Sequence, residues 1–209
     1  MHDSNDLPFL ERPDLSPFLV HLTKNTKAED GYSAFDNLVN ILQEGVVCGS
    51  DTTKGFVKGP HPAACFMDIP FLSLKYVLNA KNTDQSRPRY EPFGIVVSKA
   101  YAYDSGCRPV LYLSNKEVSA LKVPRGELWR VVRFEGADGY AVNWVHEREW
   151  RSKRDFELPS ELRAVLVKAP RDAERLRKLI DGKSHSFAST PLSIIPMTVL
   201  CQGLPYLQK

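Results

Sequence analysis

The stretch Phe18-Leu19-Val20-His21-Leu22-Thr23, followed by a helical pattern that runs from Ser33 to Gly45, decides the fold expected for this chain. The first part is mostly apolar and predicts a strand. In the second part, apolar residues recur at three- and four-residue steps, which predicts an amphipathic helix. Ser33 suits its N-cap and Gly45 suits the residue that ends it. A strand followed by a helix therefore begins the ordered part of the chain.

Short apolar runs separated by turn signals and helical patterns continue the chain, so we expect an α+β fold with a mixed, mostly antiparallel sheet and flanking helices. Strands are predicted at 63–69, 93–98, 109–114, 127–134, 140–151, 163–168 and 194–200, and helices at 70–78 and 172–180. The tetrad Gly136-Ala137-Asp138-Gly139 predicts a hairpin between the strands on either side of it. We find no internal repeat. Residues 18–209 are therefore expected to form a single α+β domain, after an irregular N-terminal arm at residues 1–17.

The composition is that of a globular protein, with 43% apolar and 25% charged residues in 209. A net charge of +3 is too small for a dedicated nucleic-acid binder, but it leaves room for an anionic ligand. The first 30 residues carry scattered acids instead of a basic region followed by an apolar one, and no run of about 18 apolar residues occurs. We expect a cytoplasmic protein that does not associate with a membrane.

The four cysteines, Cys48, Cys65, Cys107 and Cys201, are widely scattered. No Cys-x-x-Cys pair occurs, and no histidine stands at ligand spacing beside them, so we predict no metal site. Buried free thiols in a reducing compartment are the expected state.

Alternation along the first strand places His21 and Thr23 on one face, opposite Val20 and Leu22. An imidazole can be tuned across neutral pH, so His21 could donate to the ribose or phosphate of a ligand. The alternative is a structural histidine whose hydrogen bonds are satisfied beneath a loop. The sequence leaves both interpretations open.

If 140–151 is extended, Glu147, Glu149 and Arg151 share one face. Two carboxylates this close repel, which favours an arginine partner or raises the proton affinity of one acid. Such a carboxylate could stabilise the positive charge that develops when a glycosidic bond to a ribose breaks, while the second acid holds the sugar or meets the acceptor. The alternative is a purely structural ladder of salt bridges.

Two further residues are candidates for a ligand site. Asp68 ends a predicted buried strand just before Pro70, so its carboxylate could face a site, although we expect it to serve the following helix terminus. Tyr112 could stack on a flat ring, whereas aromatic residues at this density more often belong to the core.

Several linked blocks resemble the AbiGi-like abortive-infection proteins of bacterial phage defence, in an order and spacing that cover most of residues 18–180. The blocks are Phe18-Leu19-Val20-His21-Leu22-Thr23-Lys24-Asn25, Asn37-Leu38-Val39-Asn40-Ile41-Leu42-Gln43-Glu44-Gly45, Cys65-Phe66-Met67-Asp68-Ile69-Pro70, Phe93-Gly94-Ile95-Val96-Val97-Ser98-Lys99, Pro109-Val110-Leu111-Tyr112 and Glu147-Arg148-Glu149-Trp150-Arg151. This resemblance implies a toxin–antitoxin type of defence protein, the antitoxin-like member of a two-gene system with a partner toxin or antitoxin.

More loosely, His21-Leu22-Thr23 followed by Asn37-Leu38-Val39-Asn40-Ile41-Leu42-Gln43-Glu44-Gly45 is similar to the opening of DarT-like and other ADP-ribosyltransferases. This resemblance implies an ADP-ribosyltransferase-like fold with NAD as the substrate. It implies that His21 and Thr23 meet the adenosine ribose, and that Glu149 is the catalytic acid with Glu147 beside it. Asp68 and Tyr112 are assigned to the same NAD site.

Two functions of different class follow. In the first, the chain transfers ADP-ribose from NAD to a nucleic-acid or protein acceptor. In the second, it is a catalytically silent scaffold that binds a partner toxin or a phage component through basic loops at 54–58 and 151–154.

Overall fold

The computed structural model describes residues 12–26, 31–53, 57–79, 81–83, 89–136 and 144–201. Over these residues the chain is α+β, and most of the strand pairs are antiparallel, as predicted. The strands are β1 (Phe18–Leu22), β2 (Val46–Val47), β3 (Ala63–Met67), β4 (Gly94–Ser98), β5 (Arg108–Pro109), β6 (Leu111–Leu113), β7 (Val131–Arg133), β8 (Glu149–Lys153), β9 (Phe156–Glu157), β10 (Glu161–Leu162), β11 (Ala164–Val167), β12 (Thr190–Pro191) and β13 (Ile194–Pro196). The helices are α1 (Ala34–Glu44), α2 (Leu74–Val77), α3 (Lys99–Asp104), α4 (Asn115–Ala120), α5 (Pro170–Gly182) and α6 (Met197–Leu200).

The chain forms two compact units, and the first comprises residues 1–45, 69–98 and 158–209. Its strands lie in the order β13-β11-β4-β1. Strand β4 is antiparallel to β1 and β11, whereas β13 is parallel to β11. The central strands β4 and β11 are buried almost throughout, because their apolar runs are continuous instead of alternating. The candidate residues His21 and Thr23 lie in this unit, on β1 and directly after it.

Helix α1 has the ends that the sequence predicts. The hydroxyl of Ser33 accepts the N–H of Asp36, and the Asp36 carboxylate accepts the N–H of Ser33, which completes a capping box. Gly45 adopts the left-handed conformation with φ of 68° and donates its N–H to Ile41 O at 2.9 Å. The predicted helix from Ser33 to Gly45 is therefore confirmed.

The second unit comprises residues 46–68 and 99–157, and its strands lie in the order β3-β8-β5. Strand β8 is antiparallel to both neighbours. The register pairs Cys65 with Arg151 and Met67 with Glu149, so these four side chains share one face of the strand pair. Between them, Phe66 and Trp150 pair on the opposite face. This alternation places two charged residues of β8 on the same buried face.

The strand predicted at 127–134 is wrong over part of its length. Residues Arg125–Arg130 form a 3₁₀ turn after Pro124, whose φ of −57° suits the start of such a turn, and only Val131–Arg133 are extended. Strand β7 pairs in parallel with β6, and this pair is not the hairpin predicted around 136–139. Residues 137–143 lie outside the described part of the chain.

The predicted strand at 194–200 ends at Pro196, which has no N–H to continue a ladder, and α6 follows it. The predicted strand at 109–114 is divided at Val110 between β5 and β6. The arm predicted at residues 1–17 lies mostly outside the described residues. Its boundary with the rest of the chain, like the single domain expected over 18–209, stays a prediction.

Candidate active site

The candidate site is built around the start of β8. The strand predicted over 140–151 is wrong at Val145–Glu147, which form a 3₁₀ turn, and at Arg148, whose φ of 46° is left-handed. A left-handed residue interrupts the extended conformation, so alternation holds only from Glu149 onward. Glu149 and Arg151 consequently share a face of β8, as predicted, whereas Glu147 precedes the strand.

Glu149 and Arg151 form a buried ion pair. Arg151 Nε donates to Glu149 Oε1 at 2.8 Å, and Nη2 lies 3.3 Å from Oε2. The side chain of Arg151 is only 4% exposed and that of Glu149 only 9%. Arg151 Nη1 also donates to the carbonyl oxygen of Trp129 at 2.9 Å. The arginine partner expected for one of the two acids is therefore present, and both carboxylate oxygens of Glu149 are held in a fixed orientation.

The electrostatics of the pair follow from its burial. Desolvation is the largest single effect and opposes the charged form of Arg151, but Glu149 and Cys65 together outweigh it, and the arginine pKa is raised. Cys65, on the neighbouring strand, has its pKa raised first by burial and then by the charge of Glu149. The buried face thus combines a carboxylate and a guanidinium with a protonated thiol.

Tyr112, on β6, contacts the backbone around Glu149. Its hydroxyl oxygen accepts the N–H of Glu149 at 2.9 Å, and the hydroxyl lies 3.4 Å from the carbonyl oxygen of Trp144, to which it donates. Burial raises the pKa of Tyr112, and the charges of Glu149 and Glu147 raise it further. Tyr112 therefore lies at the site, with its hydroxyl bonded to both ends of the 144–149 segment.

Asp68 follows β3 and pairs with two cations. Its Oδ2 lies 2.8 Å from Lys99 Nζ, and its Oδ1 lies 3.7 Å from Arg148 Nη2. The 3₁₀ turn that follows Pro70 has no side-chain cap, so Asp68 does not cap it by a hydrogen bond. The ion pairs satisfy the carboxylate instead. Oδ1 itself is buried and has no hydrogen bond, and the Arg148 guanidinium is its ion-pair partner.

His21 and Thr23 lie in the first unit. The Thr23 hydroxyl is buried and donates to the backbone, with Ala34 O at 2.8 Å and Phe93 O at 3.2 Å. His21 is partly exposed and pairs with Ile95 across the β1–β4 ladder. Thr23 thus ties the end of β1 to the start of α1, while His21 presents the more accessible polar group.

The sequence did not single out several polar residues at these places. In the first unit, the Asn25 side chain accepts the N–H of Ala34 at 2.8 Å and donates to the buried carboxylate of Glu91 at 3.0 Å. In the second unit, Lys99 and Arg148 are the partners of Asp68. Asn25 and Glu91 are 66 residues apart and lie in segments without periodicity, so no local pattern reveals their contact.

Four of the six candidate residues, Glu147, Glu149, Asp68 and Tyr112, belong to the second unit, and His21 and Thr23 belong to the first. Within the described residues, no group of three or more His, Cys, Asp or Glu is arranged to hold a metal ion. All four cysteines are free thiols, but only Cys107 and Cys201 are buried as expected; Cys65 is half-buried and Cys48 is exposed. Among the described helices, none has the length and apolar character needed to cross a bilayer.

Comparison with solved structures shows that the fold is similar to that of DarT. DarT from Thermus sp. 2.9, in complex with ADP-ribosylated single-stranded DNA, superposes with a TM-score of 0.50 at 15% identity, over 88% of this chain and 96% of DarT. At this identity the likeness shows the fold alone, and it confirms the fold class predicted from the sequence.

Two other structures of the same DarT give similar values. The complex with NAD⁺ has a TM-score of 0.48 at 18% identity, over 87% of this chain and 96% of DarT. The complex with carba-NAD⁺ has a TM-score of 0.48 at 15% identity, over 88% and 97%. No protein-family model and no curated protein matches the chain.

Proposed function

We propose that this chain is an NAD-dependent ADP-ribosyltransferase that modifies a macromolecule, with Glu149 as its catalytic acid. The observation that carries the proposal is the buried carboxylate of Glu149, oriented by Arg151 in a chain with a DarT-like fold. A fold alone does not assign an activity, but a fixed, desolvated carboxylate is the group that this chemistry needs.

In the proposed reaction, the bond between nicotinamide and C1′ of the adjoining ribose breaks, and its electron pair leaves with nicotinamide. Positive charge develops at C1′, where a nucleophile of the acceptor attacks and then loses its proton. The Glu149 carboxylate stabilises the developing charge, because an anion is more effective in a desolvated site than in water. Glu147, buried two residues earlier, is the second acid and meets the sugar or the acceptor.

The remaining candidates are proposed to hold the substrate. His21, partly exposed on β1, meets the adenosine ribose, and Thr23 shapes the same place through its bonds to the backbone. Asp68 accepts a hydrogen bond from NAD through its buried Oδ1. The roles of His21 and Thr23 are those that the resemblance implies, and the partial exposure of His21 supports its role. The role of Asp68 rests on its place at the end of β3 and on the oxygen that has no hydrogen bond.

The neighbouring structures support a choice of substrates. DarT from Thermus sp. 2.9 has been solved with NAD⁺ and with ADP-ribosylated single-stranded DNA. We therefore propose NAD as the donor and a nucleic acid as the acceptor, with a protein as the alternative acceptor. The resemblance to AbiGi-like proteins favours phage defence as the setting, within a toxin–antitoxin pair in the cytoplasm.

One observation favours a second candidate, a non-catalytic antitoxin or sensor that binds a partner toxin or a phage component. Both carboxylate oxygens of Glu149 already face Arg151, as they would in a structural salt bridge. In the basic segment expected at 151–154, Arg151 is buried in β8, whereas Lys153 and Arg154 are exposed and carry the proposed binding surface. Lys54 lies outside the described residues.

The test uses purified protein and NAD labelled in its adenylate half, offered with single-stranded DNA, RNA or host-cell protein. Wild type is expected to release nicotinamide and to label one acceptor class. Glu149→Gln should reduce both by at least about 100-fold, because it removes the charge that stabilises the transition state. Glu157→Gln, on the exposed end of β9, is the matched control and should keep full activity.

Both variants are first checked for cooperative unfolding, so that loss of activity is not loss of fold. If wild type neither binds nor consumes NAD, and Glu149→Gln leaves phage protection unchanged, the enzyme proposal fails. In that case the binding candidate is the one to pursue.

A further inference from the structure

We infer that Tyr112 is a positioning residue that sets the place of the Glu149 carboxylate, and that it acts through the backbone instead of through contact with NAD. This inference rests on the proposed function. It also replaces the stacking role that the sequence suggested for Tyr112.

The hydroxyl of Tyr112 joins the two ends of one short segment. Its oxygen accepts the Glu149 N–H at 2.9 Å, and its hydrogen is directed to Trp144 O at 3.4 Å. Between these residues the chain makes a 3₁₀ turn and passes through the left-handed Arg148. At the exit of this turn, backbone bonds from Asp68 N–H to Arg148 O at 3.2 Å and from Val110 N–H to Glu149 O at 3.1 Å hold the carbonyl groups. The Tyr112 hydroxyl is the partner of the Glu149 amide, at the residue where β8 begins.

The same part of the second unit also holds the side chain of Glu149. Strand β6, which carries Tyr112, pairs with β7. The turn before β7 supplies the Trp129 carbonyl to Arg151 at 2.9 Å, and Arg151 in turn holds the Glu149 carboxylate. Two side chains thus hold Glu149, Tyr112 at its amide and Arg151 at its carboxylate, beside the backbone bond that its carbonyl oxygen accepts from Val110; we call the two side-chain contacts the two-point clamp.

The clamp matters because Glu149 is the first residue of its strand, and the end of a strand opens at a lower free-energy cost than its middle. Without the bond from Tyr112, the Glu149 amide loses its described partner and the turn before it can relax. A displacement of about 1 Å in a catalytic group can reduce the rate by about 100-fold. A lost tyrosine hydroxyl is therefore expected to change turnover more than substrate binding.

Tyr112→Phe tests the inference, since it removes the hydroxyl and keeps the ring. The expected result is a fall of about 10- to 100-fold in kcat for nicotinamide release, while KM for NAD changes by less than about twofold. Amide hydrogen exchange should become faster in residues 144–149 and stay unchanged in α5. The matched control is Tyr101→Phe, which removes a hydroxyl bonded to Glu157 O at 3.2 Å in the same unit and should alter neither quantity.

Each other outcome has a defined meaning. A raised KM with unchanged kcat would show that Tyr112 binds NAD directly, and it would overturn the inference. Unchanged kinetics with unchanged exchange in 144–149 would overturn it as well. If wild type releases no nicotinamide, the proposed function fails on its own; faster exchange in 144–149 of Tyr112→Phe would still support the clamp, and unchanged exchange would sink it.

Discussion

The buried pair of Glu149 and Arg151 predicts a large coupling in stability. Their charged groups are in direct contact, at 2.8 Å, and both side chains are at least nine-tenths buried. With an effective dielectric constant of about 20, unit charges about 4 Å apart attract by about 4 kcal/mol. Removal of one partner from a buried pair typically costs about 3–5 kcal/mol, because the other charge is left without compensation.

We therefore expect Arg151→Met to lower the free energy of unfolding by about 3–5 kcal/mol at pH 7. In a Glu149→Gln background no charged carboxylate is left behind. There the same substitution loses chiefly the hydrogen bond to the Trp129 carbonyl, a net cost of about 1 kcal/mol. The difference between the two costs, about 2–4 kcal/mol, is the coupling energy of the pair.

Urea denaturation of the wild type, the two single variants and the double variant measures this coupling. The matched control is the exposed pair of Lys153 and Glu127, at 3.6 Å, where the Lys153→Met and Glu127→Gln cycle should give less than about 1 kcal/mol. A coupling for Glu149 and Arg151 as small as that of the control pair would refute the argument that the acid is desolvated. It would also remove the main support for its proposed catalytic role.

Two more predictions follow, one for the second unit and one for the first. Burial raises the pKa of Cys107 to about 12, against about 8.5 for an unfolded thiol, so the folded state keeps this proton at alkaline pH. The contribution of this thiol to the free energy of unfolding is therefore complete below pH ~8.5 and is lost as the pH rises toward 12. Between pH 9 and 10, urea titrations should show that the unfolding free energy of wild type falls by about 1 kcal/mol more than that of Cys107→Ala. In the first unit, a Cβ on Gly94 would overlap the carbonyl oxygen of His21, so Gly94→Ala should lower the unfolding free energy by about 2 kcal/mol or more. A Cβ on Gly126 would meet no atom within 4 Å, so Gly126→Ala is the control and should leave the unfolding free energy nearly unchanged. Thermal melts compare the two variants, and an equal loss of stability in both would contradict the crowding of Gly94 against β1.

Local sequence signals predicted the elements whose ends are chemically marked. Helix α1 has both a capping serine and a terminal glycine, so its bounds could be predicted from Ser33 and Gly45. The strand predicted at 127–134 is wrong over 127–130, because these residues belong to a 3₁₀ turn and periodicity does not separate a short turn from a short strand; Val131–Arg133 are extended as predicted. The parallel pairing of β6 and β7 could not be foreseen, since partners in a sheet are chosen by tertiary packing and not by either strand alone.

The candidate site shows the same division between local and distant information. Glu149 and Arg151 are two residues apart, so alternation in a strand was enough to place them together. Asp68 meets Lys99 and Arg148 across intervals of 31 and 80 residues, and nothing in the composition of those segments marks the meeting. The partners that hold a buried acid decide how it can act, because they set both its charge state and its orientation. A sequence pattern can therefore indicate Glu149 as a candidate acid. Its contacts with Arg151 and Tyr112 are visible only in the fold. Mutation of these two partners is therefore more informative than mutation of Glu149 alone, because it tests how the acid is held.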